Sequence, residues 1–404
     1  MKILTIAGWM YPDQEGGSFR VVYEAARRLA ARGHEVHVVT QKLDARHPES
    51  EVLAGMRVHR YRTTAQSGLR FYASTLREVP RLVNRLQRDI GFDVLHMHHP
   101  VSTLAANRAR AARCIPRIVI LHSLYFLEYI DRHTYSARTG EARRLAWLRW
   151  PVARALMWMD GANLRRADRI VVLSDFTQAL ARRRFPGCAA RLVKLPGGAD
   201  LERFTPSPSR AEARARLGLP AEPVVFFTCR RLEHRMGIRE LVEAARLLRQ
   251  DGRNALVLIA GRGALEADLR RQIQEAGIES AVRLLGYVPE EQLPLYYRAA
   301  DCFVIPTRAL EGFGLVTAEA FACGTPVLGT PVGATPELIQ PFDPRLVTEG
   351  ATAPALHRGM VRFMDEVATE PGLSERCRRY AEEHFSWDRF VKGLEDLSRD
   401  LAAK

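Results

Sequence analysis

Short apolar runs alternate along the chain with longer stretches whose apolar positions recur every three or four residues. In the first half Lys2–Ala7, Glu35–Thr40, Asp93–His98, Arg117–His122 and Arg169–Ser174 are predicted strands. Ser18–Arg32 has the spacing of an amphipathic helix and stops at Gly33. In the second half Val224–Thr228, Ala255–Ala260, Val282–Leu285, Cys302–Ile305 and Pro326–Leu328 are predicted strands. Helices are predicted between them at Ile238–Arg249, Leu265–Ala276, Glu290–Ala299 and Val316–Cys323. Strands apolar on both faces, each followed by a helix, point to parallel sheets covered on both sides. The halves are separated by Leu195-Pro196-Gly197-Gly198-Ala199-Asp200 and Phe204-Thr205-Pro206-Ser207-Pro208, a density of glycine and proline that marks a hinge. The expected fold class is therefore α/β, with two Rossmann-like, doubly wound domains at 1–195 and 207–380 and a 196–206 linker. A crevice between such domains is the expected binding site.

The length of 404 residues suits two domains, and a hydrophobic content of 47% supplies a sizeable core for each. No basic region followed by an apolar stretch and a small-residue cleavage site opens the chain, and no apolar run reaches about 18 residues. A cytoplasmic protein without a leader or a spanning helix is expected. The six cysteines are scattered without a Cys-x-x-Cys pair, so they are read as reduced core residues and not as a disulfide or zinc framework. Charge alters the picture more. Residues 1–200 carry 33 Lys+Arg against 17 Asp+Glu, a balance of +16, while the remainder carries 27 against 29. Either the first half meets an anionic partner, such as acidic lipid headgroups or a phosphorylated acceptor, or it is an arginine-rich solvated surface. Helix-turn-helix, zinc-finger and aromatic RNA-binding signatures are lacking, which speaks against nucleic acid.

Candidate chemistry lies at the ends of predicted strands. Gly16-Gly17-Ser18 opens the first predicted helix. It reads either as a helix-start turn capped by Ser18 or as a glycine pair that lets backbone N–H groups approach a phosphate. Glu311-Gly312-Phe313-Gly314-Leu315 follows the strand ending at Ile305, and Glu319 comes eight residues after Glu311. Residues after Gly312 read as helical, which leaves Glu311 in the loop and Glu319 in the helix. A loop carboxylate accepts hydrogen bonds from sugar hydroxyls, and N–H groups at a helix start donate to others. His122 closes a buried strand and is either a core histidine or a ligand to substrate. His96 and His98 alternate onto one strand face with His99 on the other, a poor arrangement for a metal. No Asp-x-Asp pair is present, so a bridging divalent ion is not indicated.

These residues occur in a specific order. In the second half it runs Arg231-Leu232, Gly261-x-Gly263, Gly286-Tyr287-Val288, Tyr296, Ala300-Asp301, Glu311-x7-Glu319, Gly324-Thr325-Pro326-Val327 and Gly333-x-x-Pro336-Glu337. In the first half it includes Gly16-Gly17, Arg32-Gly33-His34-Glu35-Val36, His96-x-His98, His122-Ser123, Ala167-Asp168-Arg169-Ile170 and Pro196-Gly197-Gly198-x-Asp200. The set covers nearly the whole chain and resembles the retaining glycosyltransferases of family 4, with the GT-B fold of two Rossmann-like domains facing a central cleft. Phe385-Ser386-Trp387 looks like the start of a last helix, within 381–404, that returns to the first domain.

The resemblance implies roles for matching positions. Glu311 contacts the donor sugar, helped by the backbone N–H groups of Phe313, Gly314 and Leu315. Glu319 holds the ribose hydroxyls, the stretch around Val288 meets the base, and Gly16 or Gly17 cradles the distal phosphate. Arg231 neutralises the leaving diphosphate, and His122 orients the sugar. The family usually places Lys five residues after that Arg, directly before Gly; here Met236 stands there. Arg235, next to it, either supplies the missing cation or is merely exposed.

The implied reaction is metal-independent, retaining transfer of a hexose from a UDP-sugar, or next a GDP-sugar, to a hydroxyl on a glycan, lipid-linked or small acceptor. The nucleotide sugar is a co-substrate, and no cofactor is expected. No carboxylate presents itself as a nucleophile on the opposite sugar face, which favours front-face attack. Arg143–Arg169 sets Trp147, Trp150, Met157 and Trp158 among arginines, and Arg70–Arg88 is a second basic stretch. Such stretches either pack as ordinary helices or lie on an anionic membrane, here the inner face of the cell membrane. An epimerase of the same architecture would convert the donor with no acceptor present. A phosphorylase would normally need a lysine-linked pyridoxal phosphate, and no lysine lies in the expected strand region. A non-catalytic sugar-nucleotide-binding protein is opposed by the presence of Glu311, Glu319, Arg231 and His122.

Overall fold

The computed structural model describes residues 1–65, 68–134 and 149–403, which form two compact α/β units. Of the basic stretch at 143–169, Trp147 and its neighbours up to 148 lie outside the described residues. The first unit consists mainly of residues 1–130, 149–197 and 387–403, and the second mainly of 198–386.

The first unit is built on an eight-stranded sheet: β1 (Lys2–Ile6), β2 (Glu35–Gln41), β3 (Ser50–Leu53), β4 (Met56–Tyr61), β5 (Val94–Met97), β6 (Arg117–Leu121), β7 (Arg169–Val172) and β8 (Leu192–Lys194). Its order is β3-β4-β2-β1-β5-β6-β7-β8, all parallel except the β3–β4 pair. β1 lies at the centre, and Ile3, Leu4 and Ile6 are wholly buried, as expected for a strand covered on both faces. β3, β4 and β8 are not among the predicted strands. β3 and β4 form a hairpin at the sheet edge with exposed positions interleaved, turning at Ala54-Gly55, both with positive φ. Such a strand has too little apolar content to stand out. The 23-residue helix Gly68–Ile90 contains the whole of the second basic stretch.

Helix Gly17–Ala31 buries Val21, Val22, Ala25, Ala26 and Leu29, one stripe at three- and four-residue spacing. The final helix, Trp387–Ala402, buries Trp387, Phe390, Val391, Leu394 and Leu401 in the same manner. The two helices are tied side by side: Arg28 Nη1 donates to Asp388 at 3.0 Å, and buried Glu395 takes Arg32 Nε at 2.9 Å and lies 3.0 Å from His34 Nε2.

The second unit has a wholly parallel sheet of β9 (Val224–Cys229), β10 (Ala255–Ala260), β11 (Val282–Gly286), β12 (Cys302–Ile305) and β13 (Val327–Gly329) in the order β11-β10-β9-β12-β13. Its core includes Phe227, Tyr297 and Phe303, with ring centroids 5.0–5.7 Å apart. Four of the six cysteines are buried and all six are free thiols; Cys114 is exposed and Cys229 half-buried, so the core assignment fails for those two. Among the described residues no helix is long and apolar enough to cross a membrane.

Candidate active site

In each sheet the strand order reverses beside the first strand of the unit, between β1 and β5 and between β9 and β12. There the connections leave in opposite directions, the place at the carboxyl ends of the strands where doubly wound sheets bind ligands. The second unit's candidate residues lie at that edge: Arg230 and Arg231 after β9, Gly286-Tyr287-Val288 at the end of β11, and Pro306 to Glu311 after β12.

Glu311 is buried, and its carboxylate is held from two sides. Arg230 Nη2 donates to Oε2 at 2.5 Å, and Thr307 Oγ1 donates to the same oxygen at 3.2 Å. Its backbone is equally constrained. Leu310 takes φ 56°, the left-handed region that non-glycine residues rarely occupy, and so turns the chain immediately before the carboxylate. The Glu311 carbonyl accepts from Ala334 N–H at 2.9 Å, and a Cβ on Gly333 would fall 2.4 Å from the Glu311 carbonyl oxygen, so only glycine fits there. The Glu311 carboxyl carbon lies 3.6 Å from the Cβ position of Gly314, the N-cap of helix Leu315–Ala322. That helix starts one residue before the predicted Val316, and Phe313 and Gly314, which follow Gly312 and read as helical, lie in the loop, Gly314 with φ 84°. Glu319 lies within it and accepts from Tyr297 Oη at 2.9 Å, so the aromatic core reaches the site through one hydroxyl. Val288 is buried next to Tyr287, which is 43% exposed.

The cations differ from the sequence expectation. Arg231 is exposed, and the ion pair with Glu311 is made by its neighbour Arg230. Arg235 is half-buried; its Nη1 donates to the Leu310 carbonyl at 3.4 Å, and its Nε lies 3.7 Å from Glu233. Met236 is buried with its Sδ 3.1 Å from Arg230 Nη2. Arg230 and Thr307 were missed because nothing in their spacing distinguishes them; Arg230 meets Glu311 only when β9 pairs with β12, whereas Thr307 lies four residues before Glu311 in the same loop.

The first unit offers different chemistry at its own reversal point. His98 and His99 follow β5, and His122 follows β6. β5 ends at Met97, so the strand alternation expected through His99 stops short. His96 instead reaches the last helix, its Nε2 2.9 Å from Ser398 Oγ. His98 Nδ1 lies 3.2 Å from His122 Nε2, with the rings stacked 5.4 Å apart. His99 packs edge-on against Trp9 at 4.9 Å. The remaining ring nitrogens, His98 Nε2, both of His99 and His122 Nδ1, are buried without hydrogen-bond partners. Burial lowers the pKa of His99 and His122 to about 4, and burial with the neighbouring His122 holds His98 well below its usual value. The three imidazoles are neutral at pH 7 and can accept or donate hydrogen bonds to hydroxyls. Among the described residues no group of three His, Cys, Asp or Glu is arranged to hold a metal ion. Helix Gly17–Ala31 begins with Gly16 as N-cap and no capping side chain, so the turn capped by Ser18 does not form and the N–H groups of the first turn lack a side-chain partner there.

Known proteins share this framework. The family model for glycosyl transferases group 1 matches residues 209–384, and that for Glycosyltransferase Family 4 matches residues 15–203. The D-inositol 3-phosphate glycosyltransferase of Geodermatophilus obscurus is 31% identical over 401 residues, 94% of this chain and 83% of that protein. The GDP-mannose-dependent alpha-(1-6)-phosphatidylinositol monomannoside mannosyltransferase of Mycobacterium tuberculosis is 30% identical over 268 residues, 64% of this chain and 68% of that protein. Among solved structures, sucrose-phosphate synthase from Thermosynechococcus elongatus matches with a TM-score of 0.80 at 25% identity, over 100% of this chain and 99% of that chain.

Proposed function

Because the chain belongs to glycosyltransferase family 4 and has the GT-B fold, we propose that it moves a hexose-type sugar from a UDP- or GDP-linked donor to a hydroxyl acceptor, with retention and without a metal. The observation that carries this reading is the buried Glu311, tied to Arg230 and set against the start of the helix that holds Glu319, all at the reversal point of the second sheet. Breaking the bond between the anomeric carbon and the diphosphate places negative charge on the phosphate and positive charge on the carbon. In this proposal Glu311 accepts from a sugar hydroxyl, the N–H groups of Phe313 to Leu315 and the arginines face the phosphate, and Glu319 takes the ribose. The acceptor oxygen bonds to the anomeric carbon on the face the diphosphate leaves, and its proton passes to the departing phosphate oxygen. Pre-aimed donors of this kind are each worth about 3–4 kcal/mol in the transition state.

The acceptor is assigned to the first unit, whose sequence carries the excess of positive charge. The two relatives act, by name, on inositol phosphate and on a phosphatidylinositol monomannoside, which supports an acceptor bearing a phosphate. On helix Trp150–Arg166, Trp150 and Trp158 are 60% and 61% exposed beside the exposed Arg154, which supports contact with an anionic membrane on the cytoplasmic side.

A thermal-shift panel of nucleotide sugars tests the donor. A donor at a hundred times its dissociation constant stabilises by about 2.7 kcal/mol, and radiolabelled transfer then tests the acceptor. A panel without any shift, or a donor isomerised with no acceptor present, would overturn the reading. Sedimentation with anionic liposomes at low salt tests the membrane contact, which is abandoned if the protein stays in the supernatant.

A further inference from the structure

Arg230 leaves the end of β9 and enters the second unit's site with its side chain only 7% exposed. One edge of its guanidinium is occupied: Nη2 lies 2.5 Å from Glu311 Oε2 and 3.1 Å from Met236 Sδ. The other edge is not, since Nη1 is buried and has no hydrogen-bond partner. A guanidinium carries five N–H groups in a rigid plane, and a buried donor left unused costs about 1–3 kcal/mol. The residue is nevertheless locked in place. A Cβ on Gly261 would fall 1.8 Å from the Arg230 carbonyl oxygen, so β10 delivers glycine backbone directly against this segment. A fixed, buried cation with one free edge, at the reversal point of a parallel sheet, is built to receive an anion.

We propose that Arg230 is the second cation for the leaving diphosphate, its Nη1 edge taking a phosphate oxygen while Nη2 holds Glu311. This rests on the donor reading above and goes beyond it, since it assigns the role to a residue outside the family pattern. The guanidinium lies against Met236, where the family's lysine would extend, and so returns a positive charge to that point. Arg235, the sequence's candidate, is turned instead to the Leu310 carbonyl. One side chain then links phosphate charge to the position of the sugar-facing carboxylate: donor binding and sugar orientation become properties of the same ion pair.

Isothermal titration with UDP, GDP and the matching monophosphates separates the two ideas. The native chain is expected to bind one diphosphate at least tenfold more tightly than its monophosphate; equal binding would overturn the donor reading and this assignment with it. Arg230→Gln, whose amide still donates to Glu311, should weaken diphosphate binding at least tenfold and change monophosphate binding less than threefold. Arg230→Lys keeps the ion pair but not the second edge and should lose at least fivefold. Adding Met236→Lys to Arg230→Gln should restore diphosphate affinity to within about threefold of native. Arg230→Gln or Arg230→Lys with native diphosphate affinity, an equal loss for both nucleotides, or a double variant no better than Arg230→Gln would overturn the assignment while leaving the donor reading intact.

Discussion

The two units reverse their strand order at equivalent places, yet the side chains that gather there are of opposite kinds. After β9 and β12 the second unit sets a buried carboxylate against a buried guanidinium, Glu311 with Arg230. After β5 and β6 the first unit sets three neutral imidazoles, His98, His99 and His122, with ring nitrogens unpaired. Topology determines where a doubly wound sheet exposes functional groups, whereas residue type decides what those groups bind. A charged, hydrogen-bonded pair suits an anionic leaving group, since ionised donors and acceptors make the strongest bonds. Neutral imidazoles suit hydroxyls, for which a fixed charge would bring a desolvation cost and no partner.

Removing the carboxylate should produce the largest effect. Glu311→Ala is expected to lower transfer about a thousandfold, or ~4 kcal/mol, in a steady-state assay. It should also cost stability, because a buried cation stripped of its partner costs about 3–5 kcal/mol. Glu311→Gln, which keeps the Thr307 contact, should separate the two by losing transfer with a smaller loss of melting temperature. A Glu311→Gln enzyme with native kcat/KM would break the comparison on the second unit's side.

Acid should act on the first unit through its histidines. His99 and His122 have folded pKa values of about 4 and His98 lies well below its usual value, while the unfolded chain titrates at about 6.5. Between about pH 6.5 and 4 the unfolded state therefore binds more protons, and stability falls as the pH drops through that window. Asp160 opposes this, because burial raises its folded pKa to about 7 and its contribution grows as pH falls below that value. His59 and His96 are lowered by burial in the same way, to about 4 and about 3, so these five imidazoles against one carboxyl leave a net loss of stability between pH 7 and 4.5. Urea unfolding at the two pH values measures it, and His122→Asn should flatten the slope. Stability unchanged between them would show that the imidazoles are not held neutral.

His122→Ala is expected to reduce transfer about 10- to 100-fold, in kcat more than in donor affinity, because it removes a hydroxyl-facing group and leaves the arginines in place. A loss confined to donor affinity would move His122 out of the hydroxyl-facing group. The smallest effect is expected from Arg235→Ala, about threefold in donor KM, since that side chain is engaged with the Leu310 carbonyl. A loss as large as that of Glu311→Ala would return the second cation's role to Arg235.

Much of this was legible in the sequence. The central strands β1, β5, β6, β9, β10 and β12 were found within one or two residues, because strands buried on both faces must be apolar throughout. Glu311, Glu319 and His122 were singled out as candidates from their order and spacing; the structure sets Glu311 in the loop after β12, Glu319 inside helix Leu315–Ala322 and His122 directly after β6. The edge hairpin of β3 and β4 was missed because β3 is half exposed and β4 sets Arg57, His59 and Arg60 among its apolar residues, so both resemble loops in composition. Arg230 was missed because an arginine pair at 230 and 231 gives no clue which member turns inward.

The sequence by itself determined the α/β class and the family and offered the carboxylates as candidates, since periodicity and motif order are local and survive without knowledge of packing. Only the tertiary structure decided which arginine meets Glu311, where Arg235 goes, and that His98, His99 and His122 share one neighbourhood. Those facts depend on strands distant in the chain lying side by side and on glycines at 261 and 333 that let backbones approach. Contacts of that kind follow from register and burial, which no local pattern encodes.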